Sequence, residues 1–333
     1  MTRGKPGHDN DEEPCAHGLE IGRDDEWCIG VFAADVCLAT TRDIRSSRGM
    51  RLPYRILNVF TVGGDRLSGN PLCVFEDGSG LDTEQMQALA RQLNLSETTF
   101  ITPSAFASAR VRIFTPGFEM PFAGHPTLGT AHVVRSLFGG DALELEMLAG
   151  IVAVTADPTD NDRWTLRTAK APVVRKPEAT RAQIASMIGL PESAIAGEPL
   201  WIDTGSEQFV IPLATVEDVE RARPVPDKIQ AYGLQSSRHE ALAYIWAGTG
   251  DELTVRFFFT QHGAVIEDPA TGSACANLGG YLLATGVPLP LSRSLSQGVA
   301  VKRPSRLGLR VEADQGIYVS GNVIELGGGT FDV

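Results

Sequence analysis

The chain is poor in lysine: of its 29 basic residues only Lys5, Lys170, Lys176, Lys228 and Lys302 are lysines, the other 24 being arginines. Few candidates therefore exist for a Schiff-base lysine, which weighs against pyridoxal phosphate chemistry. Positive charge is in deficit as well. With 41 acidic residues the net charge is −12, and that disfavours a nucleic-acid partner, whose binding relies on Lys and Arg neutralising phosphates. Cysteine is sparse and unpaired. Cys15, Cys28, Cys37, Cys73 and Cys275 make an odd count without CxxC spacing, so reduced thiols in a reducing compartment are expected rather than a disulfide framework or a redox or zinc pair. No apolar run reaches the roughly 18 residues of a membrane-spanning helix. No charged-then-apolar signal opens the chain either, and a cytoplasmic protein with no membrane partner is the expectation. GxxxxGK(S/T) and a strand-linked GxGxxG are both missing, and His132, His239 and His262 show neither HExxH nor HxxEH spacing. A nucleotide-phosphate loop, a dinucleotide fingerprint and a dedicated metal site are all disfavoured.

What is present is an ordinary globular composition, 43% hydrophobic and 21% charged over 333 residues, long enough for one large or two medium domains. Two are expected. Residues 1–49 are set apart: MTRGKPGHDNDEEPCAHG is polar and acidic and lacks any apolar period, so this stretch reads as a disordered tail or an artefact of the assigned start codon. From Tyr54 the pattern is strand (YRILNVFTV), Gly-rich turn, strand (PLCVFE), then a helix capped by Asp82 or Thr83 and ended by Asn94. Strands over Thr98–Thr102 and Ala109–Thr115 follow, then a helix from Thr127 to about Leu137 and strands ALELEML and IVAVTA. After the turn-rich DPTDNDR the order repeats: WTLRTA, then WIDTGSEQFVIPL, a helical segment at Val216–Ala222, strands ALAYIWAG and TVRFFFT, and a loop EDPATGS opening a small-residue helix. Residues 50–162 are thus read as an N-terminal half containing Glu97 and His125, and 163–321 as a C-terminal half containing Asp268. The last strand, near 322–333, is expected to return to the first half. Ala123–Thr127 and Thr271–Cys275 hold equivalent places, each a loop feeding a buried helix, and would face each other across one cleft.

Three constellations could carry chemistry. In NLSET, residues 94–98, a carboxylate at a helix-to-strand junction can project into a cleft, where desolvation raises its pKa toward that of a useful general base; the bland alternative is a solvated turn. In FTPGFEMPFAGHPTLGTA, residues 114–131, Gly124 lets the backbone approach a ligand, and the unpaired N–H groups of the helix start suit a carboxylate. His125 there could donate to an anion, relay a proton, or simply be a structurally satisfied histidine. In EDPATGSACANLGGYL, residues 267–282, Asp268 precedes a turn that presents Thr271, Gly272 and Ser273. Glu267 and Asp268 are adjacent carboxylates, of which one would be pushed upward. Cys275 near a helix start is read as packing rather than as an activated thiolate, and Cys73 likewise.

Taken in order, GNPLCVF (69–75), MQALARQLNLSETTF (86–100), FTPGFEMPFAGHPTLGTA and EDPATGSACANLGGYL resemble the PhzF-like family of phenazine biosynthesis, over roughly residues 54–333. The resemblance implies an α+β chain with the diaminopimelate-epimerase-like fold: two pseudo-symmetric halves, each a curved sheet around a central helix, with the active site between them. Diaminopimelate epimerase itself places a cysteine at the loop before each central helix, and neither corresponding loop here contains one, which disfavours two-thiol racemisation. What the resemblance implies for this chain is a catalytic Glu97 as acid/base, with His125 and Asp268 as partners. Ser96, Gly124, Gly272 and Ser273 would hold the substrate carboxylate, and Asn70 joins the substrate-binding set. It also implies a homodimer acting without metal or organic cofactor. The function expected is an isomerase moving a proton within a small-molecule carboxylate. A two-base racemase or epimerase using Glu97 and Asp268, and a binding protein that has lost turnover, are the competing readings.

Overall fold

The structure, a computed structural model, describes residues 49–235, 240–261 and 263–333. The tail expected over residues 1–49 lies outside the described residues, Gly49 excepted, as do His239 and His262. In chain order the first lobe comprises β1 (Arg51–Val59), β2 (Asn70–Phe75), α1 (Thr83–Leu93), β3 (Glu97–Thr102), β4 (Ala109–Phe114), β5 (Glu119–Met120), α2 (Gly124–Phe138), β6 (Ala142–Met147), β7 (Gly150–Ala156) and β8 (Arg163–Arg167). The second comprises β9 (Val173–Arg175), α3 (Arg181–Met187), β10 (Leu200–Asp203), β11 (Glu207–Pro212), α4 (Val216–Arg221), α5 (Pro226–Tyr232), β12 (Leu242–Thr249), β13 (Glu252–Gln261), β14 (Ala264–Asp268), α6 (Gly272–Ala284), β15 (Leu291–Gln297), β16 (Ser305–Val311) and β17 (Ile317–Asp332).

The ladder of the first lobe is repeated in the second. Strands β1 and β2 pair antiparallel, β2 and β3 parallel, β3 and β4 antiparallel, β4 and β6 parallel, and β6 and β7 antiparallel. Strands β10, β11, β12, β13, β15 and β16 repeat that sequence of senses without exception. The lobes then share their closing strands. β8 pairs with β7 and, from Arg167↔Tyr318 to Arg163↔Asn322, with the first part of β17. The rest of β17 runs on along β1, closing an eight-stranded barrel, while β9, just after β8, pairs with β10. Trp164–Arg167, which the sequence assigns to the opening of the second half, thus closes the first barrel.

Each barrel is filled by one helix that is buried on nearly every side, as a helix inside a curved sheet must be. In α6 every residue from Gly272 to Leu282 is buried, and in α2 Leu128, Ala131, Val133 and Val134 join the main core. Small residues make this possible. A Cβ on Gly279 or Gly280 would lie 2.8 Å from a side-chain carbon of Ile317 or Ile202 respectively. The outer helices follow simpler rules: α1 has the Asp82/Gln85 capping box and ends at Asn94 in the left-handed region, φ 52, a conformation Asn tolerates better than most residues. Helix α2 begins at Gly124, three residues before the start expected at Thr127. Pro126 does not delay it, because the first turn has no acceptor for that N–H in any case. The short helices α3 and α5, which the sequence pattern did not reveal, cover a second core around Met187, Phe209 and Ile245; seven residues are too few to display a helical period.

The two central helices start on each other. A Cβ on Gly124 would lie 2.8 Å from the Cα and carbonyl carbon of Gly272, and one on Gly272 would lie 3.0 Å from the Cα of Gly124. These glycines, read from sequence as openings toward a ligand, are therefore required by the backbone of the opposite lobe. Gly124→Ala is expected to cost about 1–3 kcal/mol of stability, because the clash is with backbone that cannot rotate away. Gly129→Ala should cost less, since its nearest neighbours are the Leu72 Cδ2 and Val59 Cγ2 methyls at 2.5 and 3.0 Å, which can yield. Urea unfolding of the two variants compares them directly, and equal losses would contradict this account of the helix contact.

Candidate active site

The abutting helix starts form the floor of a cleft of about 470 Å³ lined from both lobes. Glu97 enters it from the first residue of β3, held in parallel register with Leu72 of β2 just after the left-handed turn at Asn94. Asp268 enters as the last residue of β14, opposite Phe257. His125 is the second residue of α2 and is 3% exposed. The structure therefore brings Glu97, His125 and Asp268 into one cleft, together with Ser96, Gly124, Gly272 and Ser273.

Asn70, at the start of β2, ties these groups together. Its Nδ2 donates to the Ala270 carbonyl at 2.9 Å and to Asp268 Oδ1 at 3.0 Å, and it lies 3.5 Å from His125 Nδ1. Its Oδ1 accepts from the Ser96 hydroxyl at 3.1 Å. The backbone carbonyl at Ala270 fixes which end of the amide is nitrogen. Asp268 is held twice, since Thr271 Oγ1 donates to its Oδ2 while Asn70 occupies Oδ1. Gln297 secures that turn, its Nε2 reaching the Asp268 carbonyl and Thr271 Oγ1, both at 3.0 Å, and its Oε1 accepting from the Thr271 N–H at 3.2 Å. Glu97 is held less completely: its Oε2 is buried, lies 3.5 Å from His125 Nδ1 and accepts no hydrogen bond among the described residues.

Burial dominates the electrostatics. Desolvation pushes the Glu97 carboxyl well above the ordinary carboxylate range, and the charges of Asp268 and Glu240 push it further. Asp268 is raised for the same first reason, against the pull of its bonds to Thr271 and Asn70. The two titrate as a pair, one carboxyl keeping a proton toward neutrality. Burial lowers His125 to about 3, so its imidazole is neutral. No Lys or Arg is among the described residues lining the cleft. Positive potential in it therefore comes from the N–H groups and dipoles of two converging helix starts.

Several expectations change in detail. Of the adjacent carboxylates Glu267 and Asp268, expected to push one of the pair upward, Glu267 is engaged by Arg256 through two bonds of 2.6 and 3.0 Å, with both side chains 9% exposed. It contributes only a minor push to Asp268. Ser96, read as a donor to substrate, has its one hydrogen committed to Asn70 Oδ1 or to the adjacent Glu97. The reading of both cysteines as packing agrees with the structure: Cys275 is buried with its thiol raised by desolvation, and Cys73 is pushed up to about 12, so neither is a reactive thiolate. Neither Gln297 nor Gln208, which also lines the cleft, is marked by any local motif, since a glutamine on a distant strand carries no local signature of what it touches.

The family model described as phenazine biosynthesis-like protein matches residues 57–327. The chain is 38% identical over 279 residues to an uncharacterized isomerase of Pasteurella multocida, covering 83% of this chain and 92% of that protein. It is 34% identical over 285 residues to the trans-2,3-dihydro-3-hydroxyanthranilate isomerase of Pseudomonas chlororaphis, covering 83% and 98%. A Bacillus anthracis protein of the PhzF family superposes with a TM-score of 0.73 at 21% identity, over 85% of this chain and all of that one, a likeness of fold. The barrels, the facing helix starts and these matches place the chain in the PhzC/PhzF phenazine biosynthesis-like family, with the diaminopimelate-epimerase-like fold. It is an isomerase of that family.

The raised carboxyls make stability depend on pH with a definite sign. Between the ordinary carboxylate pKa and the raised native value the folded chain binds more protons than the unfolded one, so stability falls as pH rises through that window. Glu97→Gln removes this liability. Its melting temperature should exceed the parent's near about pH 8 and converge on it near about pH 4, where both side chains are uncharged. A melting difference that stays constant across that range would mean that Glu97 is not held above its usual range.

Proposed function

We propose that the protein shifts a proton between carbons of a small unsaturated carboxylate, with Glu97 as the single acid/base and no organic cofactor. The observation that carries this is the buried, unbonded Glu97 Oε2 facing a cleft whose floor is two helix starts. Ionised, that oxygen removes a proton from a carbon conjugated to the substrate carboxylate. The negative charge that develops spreads onto the carboxylate oxygens, where the helix-start N–H groups and the Ser273 hydroxyl stabilise it. The same carboxyl then returns the proton to another carbon. Neutral His125 sits against Glu97, and Asp268, held by Asn70 and Thr271, orients a polar group of the substrate. Phe257, Phe259 and Met120 give the cleft an apolar wall, which suits a ring. The relatives named for trans-2,3-dihydro-3-hydroxyanthranilate support a cyclic, unsaturated carboxylate as the substrate class.

The asymmetry of the two carboxylates favours one base over two. Both Asp268 oxygens already accept hydrogen bonds, whereas Glu97 Oε2 accepts none among the described residues. Two-base epimerisation would ask both groups to exchange protons with carbon. With trans-2,3-dihydro-3-hydroxyanthranilate deuterated at the carbon that loses its proton, turnover in ordinary water should carry part of the label to the new C–H position. Product wholly free of transferred label would point to two bases. Glu97→Gln should lower turnover by roughly 10²–10⁴-fold, while its circular dichroism spectrum stays that of the parent. Unchanged turnover would remove Glu97 from this role.

A further inference from the structure

The two lobes, which repeat each other strand by strand, differ at one buried pair beside the cleft. Five residues beyond the abutting glycines Gly124 and Gly272 lie Gly129 in α2 and Asn277 in α6; facing them, three residues beyond Gly69 and Gly205, are Leu72 in β2 and Gln208 in β11. In the first lobe the contact is apolar, the Leu72 methyl filling the space over Gly129. In the second it is polar, with Asn277 0% and Gln208 3% exposed. Burying two amides where a leucine and a glycine would fit has a cost unless every polar atom is bonded.

Every one of those atoms is bonded, and the polarity of each bond is determined. Asn277 Oδ1 accepts from the Thr204 backbone N–H at 2.9 Å, and its Nδ2 donates to the Ser206 carbonyl at 2.7 Å. Backbone groups cannot exchange roles, so Asn277 has one orientation. Its Nδ2 also donates to Gln208 Oε1, which turns Gln208 Nε2 the other way. That nitrogen donates to Ser206 Oγ at 3.3 Å and to Ser273 Oγ at 3.1 Å. A serine hydroxyl has one hydrogen, and here a lone pair already faces Gln208. Among the described residues no hydrogen bond takes the Ser273 hydrogen, and Ser273 lines the cleft beside the start of α6.

We infer that Gln208, locked by Asn277, is a positioning residue that keeps the Ser273 hydrogen from turning inward and so leaves it to be donated into the cleft, favouring a carboxylate over a neutral carboxamide. The inference rests on the proposed reading that Ser273 seats the substrate carboxylate. A carboxamide can turn its NH₂ toward a hydroxyl lone pair, whereas a carboxylate can only accept. A hydroxyl free to rotate would discriminate less. Gln208 thus acts through Ser273 on the carboxylate and on the charge that spreads onto it, and binding of a non-reacting acid reads that action without the chemistry at Glu97.

The test transplants the first lobe's apolar pair into the second, as Gln208→Leu with Asn277→Gly, and titrates anthranilate and 2-aminobenzamide by calorimetry. The double variant should unfold cooperatively, bind anthranilate about tenfold more weakly and bind 2-aminobenzamide within about twofold of the parent. Ser273→Ala should show a similar selective loss, and adding the double change to it should weaken anthranilate no further. Unchanged anthranilate affinity in the folded double variant, equal losses for acid and amide, or a full further loss on top of Ser273→Ala would each overturn the inference. If Ser273→Ala leaves anthranilate binding intact, or the parent chain does not bind anthranilate, the carboxylate seat itself fails and the role of Gln208 falls with it. Should the double variant not fold, Gln208→Glu keeps the shape and the bond from Asn277 but offers Ser273 only an acceptor. The hydroxyl then turns inward, and the same selective loss should appear and vanish in the Ser273→Ala background.

Discussion

The contact between Gly124 and Gly272 sets the geometry of everything else. Two helices, each enclosed by its own sheet, can converge only where neither has a side chain, and the 2.8 Å clearance for a Cβ shows how little room is left. Because they meet at their N-terminal ends, two sets of unpaired N–H groups and two positive dipole ends point into one space. That space is the cleft. Positive potential built this way needs no lysine or arginine, and the cleft is lined by neither among the described residues.

An absence of cationic side chains has a chemical consequence. A nearby guanidinium would hold a carboxylate ionised and poorly basic, whereas here desolvation and a like charge raise Glu97 and Asp268 together. The same surroundings force His125 neutral, so three titratable groups share a small volume without a net positive charge among them. The lobes that supply them are joined by shared strands, β17 pairing with β1 and β8 of the first lobe and with β16 of the second.

Much of this was legible in the sequence, for identifiable reasons. Gly–x–Pro ahead of a small-residue helix, Asp–Pro ahead of another, and an acidic residue just after a helix-ending Asn are local signals, and Gly124, Asp268 and Glu97 each sit on one. The repeat was legible too, because turn chemistry recurs at matching offsets. What was not legible depends on strand register. That Glu267 turns to Arg256 while Asp268 faces the cleft follows from alternation on β14 against β13, and two adjacent acids in a string do not reveal which faces inward. Gln297 and Gln208 reach the site from strands far away in sequence, so neither has a neighbouring motif to announce it. The same holds for Gly124 and Gly272: the local string allows close backbone approach at Gly124 but does not reveal that each glycine meets the backbone of the other helix.

The departures from pseudo-symmetry show how a repeated fold acquires a direction. A perfectly duplicated cleft would offer equivalent groups from both lobes, and nothing in it would distinguish base from anchor. In the first lobe an apolar Leu72–Gly129 contact leaves the cleft-facing chemistry to Asn70, Ser96, His125 and Glu97, a set with one unbonded carboxylate oxygen. In the second lobe Gln208 and Asn277 turn a hydroxyl toward the cleft, and Asp268 is bonded at both oxygens. Glu97 Oε2 accepts no hydrogen bond among the described residues whereas both Asp268 oxygens accept one, so the two cleft carboxyls contributed by the two lobes are not equivalent.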